Sequence, residues 1–363
     1  MSRISNYKIK GVNMKKAYYF VFALFITVLQ TYAVSSPSET QKEKPIIIAH
    51  RGASSYLPEH TLVAKAMAYA MGADYIEQDV NLTKDNQIVV THDPYLDTIT
   101  NVKELYPKKI SKDGKYHIRN FTLKEIEKLN VHERTDLTTG KPVFKDRFPE
   151  TDALHLRVPT LKEELILIQG LNKSTNKDVG VYVELKNPSL YKDHGKEFAK
   201  LTLELLDKYG YKDADSKCFI QCFDPYLLKF IKNKLHSKLR LIQLIGKNEW
   251  KEVPGLDYNK MLTQKGLKEV AEYAYGIGPD ISQLFVDYPS GNLKLNNVAK
   301  WAHEAGLKIH PYTLRKDSLP KGLTYQEVIR VLLTKAKVDG LFTDFTDLGV
   351  KYRDQYCTAT QQK

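Results

Sequence analysis

Four short polar clusters in this chain carry side chains that could perform chemistry, and each lies at the end of an apolar run. The clusters occupy residues 46–52, 75–79, 88–93 and 181–186. Each apolar run is short and rich in β-branched residues, which is typical of a buried parallel strand. The polar ends combine imidazole, carboxylate, guanidinium and ammonium groups, a set suited to metal-assisted acid–base chemistry on a phosphate ester. We therefore expect these strand ends to form one site.

Two histidines, His50 and His92, end the first and third of these runs. A histidine pair suits a general base and a general acid that share one reaction, because imidazoles titrate near neutral pH. Either histidine alone would more often be a packing or capping residue, but the pair beside acidic residues at two strand ends favours catalysis. Arg51, next to His50, offers a bidentate fork for a phosphate, and Gly52 lets the backbone approach that phosphate.

Carboxylates at two other strand ends indicate a cation site. Glu77 and Asp79 are two residues apart, so their side chains share one face of a strand. Such a pair repels unless a cation lies between the carboxylates, although a surface pair of acids without metal is the alternative. Glu184 could complete an oxygen-only ligand set, which Ca²⁺ and Mg²⁺ prefer. Lys186 shares the strand face of Glu184 and could neutralise a phosphate oxygen or form an internal salt bridge.

The later strand ends give weaker signals. Tyr312 could stack on the alcohol or glycerol part of a substrate, and it could equally pack in the core. His310 is either a third imidazole of the site or a packed residue, with packing favoured. Thr343 and Asp344 close the last run without an assigned role.

The elements that must position these residues alternate between strands and helices. Strand-like runs lie near 46–50, 75–79, 88–92, 180–186, 218–223, 240–245, 275–279, 307–312 and 340–344, and helical periodicity covers 59–71, 161–171, 194–209, 225–235, 264–274, 293–305 and 324–337. This alternation predicts an α/β fold with a parallel sheet, most simply a (β/α)8 TIM-type barrel. The nine strand candidates are one more than the eight strands of such a barrel. Because the turn at 83–86 is too short for a helix, we expect 75–80 and 88–92 to pair with each other, one of them outside the barrel register.

The rest of the chain divides into an insertion and two ends. Residues 94–159 interrupt the alternation of strands and helices. They predict a small cap insertion over the barrel mouth, with one helix at about 122–129. Residues 1–33 read as a secretory signal peptide, since basic residues, an apolar run and small residues follow in that order. A membrane anchor is the alternative, but the apolar run is short for it. A polar leader at 34–44, one domain at 45–350 and a polar tail at 351–363 complete the predicted organisation.

The formal net charge of +12 arises partly from residues 1–33, which carry Lys and Arg but no acid. The remaining excess is spread along the chain, so it favours anionic substrates by steering. We expect no nucleic-acid partner, because the chain has no arginine-rich stripe interleaved with aromatic residues. We expect no stable membrane insertion once the signal is removed. The sequence does not define the oligomeric state.

Several of these motifs, in their order along the chain, resemble one enzyme family. The motifs are Ala49-His50-Arg51-Gly52-Ala53, Leu57-Pro58-Glu59-His60-Thr61, Glu77-Gln78-Asp79, His92-Asp93 and Glu184-Leu185-Lys186. Together they are similar to the glycerophosphodiester phosphodiesterases, over about residues 45–350. The Pro58-Glu59-His60-Thr61 form resembles the periplasmic bacterial branch, whereas most relatives have Asn at the position of His60.

The resemblance implies a (β/α)8 barrel that holds one Ca²⁺ or Mg²⁺ through Glu77, Asp79 and Glu184, with His50 as general base and His92 as general acid. It implies that a deacylated phospholipid, such as glycerophosphocholine or glycerophosphoethanolamine, is cut to sn-glycerol 3-phosphate and an alcohol. Whether water or the glycerol 2-hydroxyl attacks stays open. With the signal peptide, it implies a periplasmic or secreted protein. The alternatives are a phosphoinositide- or sphingomyelin-directed phospholipase of the same barrel class and a non-catalytic surface protein.

Overall fold

A barrel of parallel strands dominates the computed structural model, which describes residues 44–149, 154–193 and 195–358. The strands are β1 (Ile46–Ala49), β2 (Tyr75–Leu82), β3 (Ile88–Val90), β4 (Gly180–Leu185), β5 (Cys218–Cys222), β6 (Arg240–Ile245), β7 (Gly276–Pro279), β8 (Phe285–Asp287), β9 (Asn292–Leu295), β10 (Lys308–Ile309) and β11 (Gly340–Thr343). Around the barrel the parallel strands follow the order β10-β7-β6-β5-β4-β2-β1-β11. The predicted signal peptide and nearly all of the predicted leader lie outside the described residues.

Backbone hydrogen bonds across the seam between β10 and β11 close the barrel. The Leu314 N–H donates to the Phe342 carbonyl at 2.9 Å, and the Asp339 N–H donates to the Ile309 carbonyl at 2.9 Å. The predicted (β/α)8 architecture is therefore confirmed. β3 pairs antiparallel with β2 and has no place in the ring, as the short 83–86 turn predicts.

The helices follow the strands around the outside of the barrel and also occur in the insertion. They are α1 (Leu62–Ala70), α2 (Val102–Leu105), α3 (Leu123–Ile126), α4 (Leu161–Thr175), α5 (Lys196–Lys208), α6 (Pro225–Asn233), α7 (Tyr258–Met261), α8 (Gln264–Ala271), α9 (Val298–Glu304), α10 (Tyr325–Val331), which continues as the π-helical turn Leu332–Ala336, and α11 (Thr346–Thr358). Within the described ranges, no helix combines the length and the apolar character that crossing a bilayer requires.

Several boundaries differ from the sequence predictions, and three of the differences affect the site or the core. The helix predicted over 59–71 begins at Leu62, because Thr61 is its N-cap and the two preceding residues belong to a loop of the site. The helix predicted over 293–305 begins at Val298. The residues at 293–295, which the sequence predicts as the start of that helix, belong instead to β9 of the β8–β9 hairpin. The last helix, α11, extends past the predicted domain end at residue 350, and Tyr352 and Tyr356 on it pack against the core.

The insertion after β3 has a small apolar core of its own. Leu96, Phe121, Ile126 and Leu129 are fully buried there, and they pack against Val89 of β3. The insertion is thereby anchored on the one strand of this sheet that lies outside the ring. This anchoring holds the polar side chains of the insertion in fixed positions beside the barrel.

The barrel interior is filled by aromatic and aliphatic side chains from neighbouring strands of the ring. Tyr182 stacks on Phe219 with ring centroids 4.7 Å apart, and Phe342 packs edge-on against Tyr182. His310 belongs to this layer, because it is buried and its Nδ1 lies 2.9 Å from the Tyr182 hydroxyl. His310 is thus a packed residue, and the polar site lies above the layer that contains it.

Candidate active site

A cavity of about 640 Å³ opens at the carboxyl ends of the barrel strands, where (β/α)8 enzymes place their active sites. Of the predicted site residues, it is lined by His50, Arg51, Glu77, His92, Glu184, Lys186 and Tyr312. Asp79 lies beside this lining, buried, with its Oδ1 4.0 Å from the Lys186 Nζ. The structure therefore brings all eight predicted residues together.

His50 follows β1 and is held by an aspartate that follows β11. The Nδ1 of His50 lies 2.6 Å from the Oδ1 of Asp344. Burial by itself would raise the pKa of Asp344, but the charge of Arg315 and then His50 hold that pKa well below its usual range. The carboxylate is therefore ionised and accepts the Nδ1 proton. Burial and then the Arg51 charge lower the pKa of His50 to about 4. His50 is therefore neutral near pH 7, with Nε2 free to accept a proton.

His92 has a similar arrangement two strand-like segments later in the chain. Its Nδ1 lies 2.8 Å from the Oδ1 of Asp93, whose pKa is held below its usual value by His92 and Arg134. Burial, then Arg51 and Lys186, lower the pKa of His92 to about 4. About a third of the His92 side chain is exposed, so its Nε2 edge can meet a ligand in the cavity.

The carboxylates form a crowded buried cluster. Asp79 and Glu184 are direct neighbours in the β2–β4 register, and Glu77 lies two residues before Asp79 on the same strand face. Burial raises the pKa of Glu77, and the negative charge of Asp79 raises it further. Burial is also the main cause that raises the pKa of Glu184 to about 8, although the Lys186 ammonium lies 2.7 Å from the Glu184 Oε1. This oxygen-rich, under-compensated set fits a hard divalent cation such as Ca²⁺ or Mg²⁺.

His60 also lies close enough to Glu77 and Asp79 to belong to a metal-binding cluster, a role that the sequence did not predict for it. Its Nε2 lies 2.9 Å from the Asp79 Oδ2, and the Lys65 ammonium lies 3.1 Å from its Nδ1. Because an ammonium can only donate, Nδ1 accepts and Nε2 carries the proton that is donated to Asp79. Both ring nitrogens are thus engaged. We interpret His60 as the residue that orients Asp79, as outer-shell partners of metal ligands do.

The loop after β1 holds an unusual backbone. Arg51 and His60 both have positive φ values, 58° and 62°, which are uncommon for residues with side chains. The loop is fixed because the Arg51 N–H donates to the Glu77 Oε2 at 2.6 Å and the His60 N–H donates to the Arg51 carbonyl at 2.9 Å. Gly52 has φ 88°, and a Cβ there would lie 2.8 Å from the Ala64 backbone. Glycine is therefore required by packing as well as by conformation.

Three predicted binding residues have partners within the protein. The Nη1 of Arg51 lies 3.0 Å from the Glu59 Oε2, so part of its fork is used before any phosphate binds. Lys186 forms the internal salt bridge to Glu184, at 2.7 Å, and still lines the cavity. The Tyr312 hydroxyl donates to the Ile245 carbonyl at 3.0 Å, which leaves its ring as the part that faces the cavity.

Sequence reasoning assigned no role to the residues that support the histidines and Arg51. They are Glu59, Arg134, Arg147, Arg315 and Asp344, all within the buried ion-pair network of the site. Asp344 carried a positional signal, because it directly follows the last strand. Arg315 carried a similar signal, because it closely follows the strand-like run at 307–312. Arg134 and Arg147 carried none, since the local sequence around them is that of a polar loop.

Comparison with known proteins identifies the family of this chain. Residues 50–348 match the model of the "Glycerophosphoryl diester phosphodiesterase family". The glycerophosphodiester phosphodiesterases of Haemophilus influenzae and Treponema pallidum are 41% and 37% identical to the chain, over 88% and 85% of it and 92% and 91% of their own lengths. An Oleispira antarctica phosphodiesterase, solved in complex with the product sn-glycerol-3-phosphate, shares the fold with a TM-score of 0.59 at 19% identity, covering 85% of this chain and 97% of that one. The chain therefore belongs to the glycerophosphoryl diester phosphodiesterase family and is an enzyme of that class.

Proposed function

We propose that this enzyme hydrolyses glycerophosphodiesters whose alcohol carries an ammonium group, such as glycerophosphocholine and glycerophosphoethanolamine, to sn-glycerol 3-phosphate and the free alcohol. One observation carries the proposal. Two histidines, each with Nδ1 bonded to an ionised carboxylate, face the same cavity as a cluster of buried carboxylates. This arrangement supplies a base, an acid and a cation site around a phosphate-sized space.

The histidines divide the proton transfers. His50 is neutral near pH 7, because burial and Arg51 lower its pKa to about 4, and it acts as the general base through Nε2. His92 acts as the general acid for the departing alcohol. Its low pKa in the free enzyme arises in part from Arg51 and Lys186. An anionic phosphodiester bound beside those two cations offsets their charge and raises the pKa of His92 toward neutrality.

Glu77, Asp79 and Glu184 would hold a divalent cation, with Ca²⁺ favoured and Mg²⁺ the alternative. When bound, that cation would supply positive charge to a phosphoryl oxygen. Lys186, 2.7 Å from Glu184, adds a second positive charge at the same end of the cavity. The ligand roles are testable because chelation should remove the activity while the histidine–carboxylate pairs remain in place.

The lining of the cavity also contains groups that suit an ammonium-bearing alcohol. It presents the aromatic rings of Phe223, Trp250 and Tyr288 together with the carboxylate of Glu252. Aromatic faces and carboxylates attract quaternary and primary ammonium groups. A second cleft of about 350 Å³ adjoins the first, and His92, Trp250 and Glu252 line both. A leaving alcohol in this region lies beside the proposed acid.

The test is release of sn-glycerol 3-phosphate from glycerophosphocholine, glycerophosphoethanolamine and glycerophosphoglycerol, with EDTA and with added Ca²⁺ or Mg²⁺. We expect release that EDTA abolishes and a divalent cation restores, with lower KM for the two ammonium substrates. His50→Ala and His92→Ala should remain folded and lose about 10²–10⁴-fold in kcat on these substrates. Turnover near the parental rate in either variant would remove the role given to that histidine. Equal KM values across the three substrates would remove the ammonium preference.

We also propose that residues 1–33 direct export and are removed, which places the mature enzyme in the periplasm or outside the cell. The support is the order of basic, apolar and small residues in that segment. Amino-terminal sequencing of the protein recovered from the periplasm or medium tests this. A mature chain that retains the segment in the membrane fraction would instead support an anchor.

A further inference from the structure

Two arginines of the insertion reach into the barrel site from outside its strands. Arg134 and Arg147 both belong to the segment that follows β3, and their side chains are largely buried, with 14% and 5% exposed. Each donates to the aspartate that binds one of the two histidines. In both cases the histidine takes Oδ1 of the aspartate and the arginine takes Oδ2.

Arg134 connects the His92 side of the site to the Arg51 side. Its Nη1 donates to the Asp93 Oδ2 at 2.6 Å, while its Nη2 donates to the Glu59 Oε1 at 2.6 Å. Glu59 in turn accepts from Arg51. A planar guanidinium that binds two carboxylates at once fixes both of them, which a point charge cannot do.

Arg147 supports the His50 side. Its Nη2 donates to the Asp344 Oδ2 at 2.7 Å, its Nη1 donates to the Ser54 carbonyl at 3.1 Å, and its Nε donates to Asp317 at 2.8 Å. The guanidinium also lies 3.5 Å from the centroid of the Phe144 ring, which comes from the same insertion. These contacts allow the guanidinium little freedom to turn away from Asp344.

We propose that the insertion is a catalytic brace, in which Arg134 is the positioning residue for His92 and Arg147 is the positioning residue for His50. Neither arginine is among the residues that line the main cavity, so neither meets substrate there. Each arginine helps to fix the rotation of one aspartate, together with Thr98 at Asp93 and Arg315 at Asp344, and thereby the ring orientation of one histidine. The inference rests on the proposed function, because it assigns each arginine to one of two proton transfers.

The leaving group of the substrate separates the two roles. A general acid is needed when the leaving alcohol is weakly acidic, as choline is, and is hardly needed when the leaving group is p-nitrophenol, whose anion departs unprotonated. The proton transfer at the attacking group is needed with both substrates. Loss of the acid therefore changes the ratio of the two rates, and loss of the base does not.

The experiment compares kcat and KM on glycerophosphocholine and on the p-nitrophenyl ester of sn-glycerol 3-phosphate. The variants are Arg134→Gln, Arg147→Gln, His92→Ala and His50→Ala, with Arg157→Gln, an exposed arginine of the same insertion, as the matched control. We expect each arginine variant to lose about 10–100-fold in kcat with KM little changed, as supporting residues do. Arg134→Gln should reproduce the rate ratio of His92→Ala, and Arg147→Gln should reproduce that of His50→Ala.

The brace is refuted if the two arginine variants have the same ratio of rates on the two substrates, or if either variant turns over like the control. It is also refuted if Arg134→Gln has the ratio of His50→Ala and Arg147→Gln has the ratio of His92→Ala. Loss confined to KM would also refute it, because positioning acts on the chemical step. A Gln variant that fails to fold is replaced by Arg134→Lys or Arg147→Lys, which keeps the charge and loses the fork. These should show the same ratio with a smaller loss. A parental enzyme inactive on both substrates would instead refute the proposed function.

Discussion

Replacing Asp344 by asparagine is expected to disable His50 without moving it, because the surrounding arginines dictate how the amide must lie. The Asp344 Oδ2 accepts from Arg147 at 2.7 Å and from Arg315 at 2.8 Å, while Oδ1 accepts from His50. The carbonyl oxygen of the new amide must face the two arginines, since they can only donate. Its NH₂ then faces the His50 Nδ1, which must become an acceptor. The proton moves to Nε2, and the side facing the cavity can no longer take one.

The size of the effect follows from the cost of turning the amide over. In the productive orientation the amide oxygen faces His50 and the NH₂ faces the two arginines, so two hydrogen bonds from charged donors are lost. Each is worth about 1.5–3 kcal/mol, so this orientation lies about 3–6 kcal/mol above the one in which the NH₂ faces His50. At about 1.4 kcal/mol per factor of ten, only ~10⁻² to 10⁻⁴ of the protein has the correct tautomer. We therefore expect kcat to fall by about 10²–10⁴-fold. The result does not depend on whether His50 is base or acid, because both roles need the proton on Nδ1.

The assay is release of sn-glycerol 3-phosphate from glycerophosphocholine with saturating Ca²⁺, on a protein whose thermal unfolding confirms that it is folded. Asp339→Asn is the matched control, because it makes the same substitution at the other end of β11. We expect the control to turn over like the parent. Asp344→Asn within about tenfold of the parental kcat would refute the tautomer argument, since even the smaller estimated cost exceeds that factor.

Substitutions at three positions test other parts of the structure. His60→Ala should weaken Ca²⁺ binding by about 10–100-fold, because it removes the donor that orients Asp79, whereas His60→Asn should keep most of the affinity. Equal affinity in His60→Ala and the parent, measured by Ca²⁺-dependent thermal stabilisation, would contradict this. Asp339→Asn should lower the free energy of unfolding at pH 7 by about 1–2 kcal/mol, because His303 and Lys308 help to lower the pKa of Asp339 to about 2. The folded-state pKa lies below the unfolded value, so this stability is present above about pH 4 and is lost as the pH falls toward 2. Urea titrations in which the difference from the parent does not shrink at low pH would exclude that origin. Tyr312→Phe should leave KM nearly unchanged and Tyr312→Ala should raise it, because only the ring faces the cavity. A rise in KM in both variants would show that the hydroxyl binds substrate.

The barrel was predictable because its signals are local. Each parallel strand is a short β-branched run, and the capping box of Thr160 and Glu163 and the cap by Asp224 before Pro225 are present where the sequence indicated helix starts. The exclusion of β3 from the ring followed from the length of one turn. The site residues at the strand ends were predictable for the same reason, because the fold alone brings the carboxyl ends of parallel strands together.

The errors in the fold arose where polar composition hid structure. Residues 292–295 alternate between exposed and half-buried positions, so they suit a strand, whereas the sequence predicts a helix from residue 293. The predicted polar tail contains tyrosines that pack against the core once α11 forms. In both cases tertiary contacts decide an element whose local preference is weak.

The supporting residues of the site were unpredictable for a different reason. Asp344 meets His50 across 294 residues and Arg147 meets Asp344 across 197, and no local pattern links such partners. Their pairing depends on where the insertion packs, which the small core around Phe121 determines. The same dependence gives the insertion a catalytic consequence. If its arginines hold the histidine–aspartate pairs, a substitution that loosens the insertion core lowers kcat, even though the altered side chain lies far from the cavity.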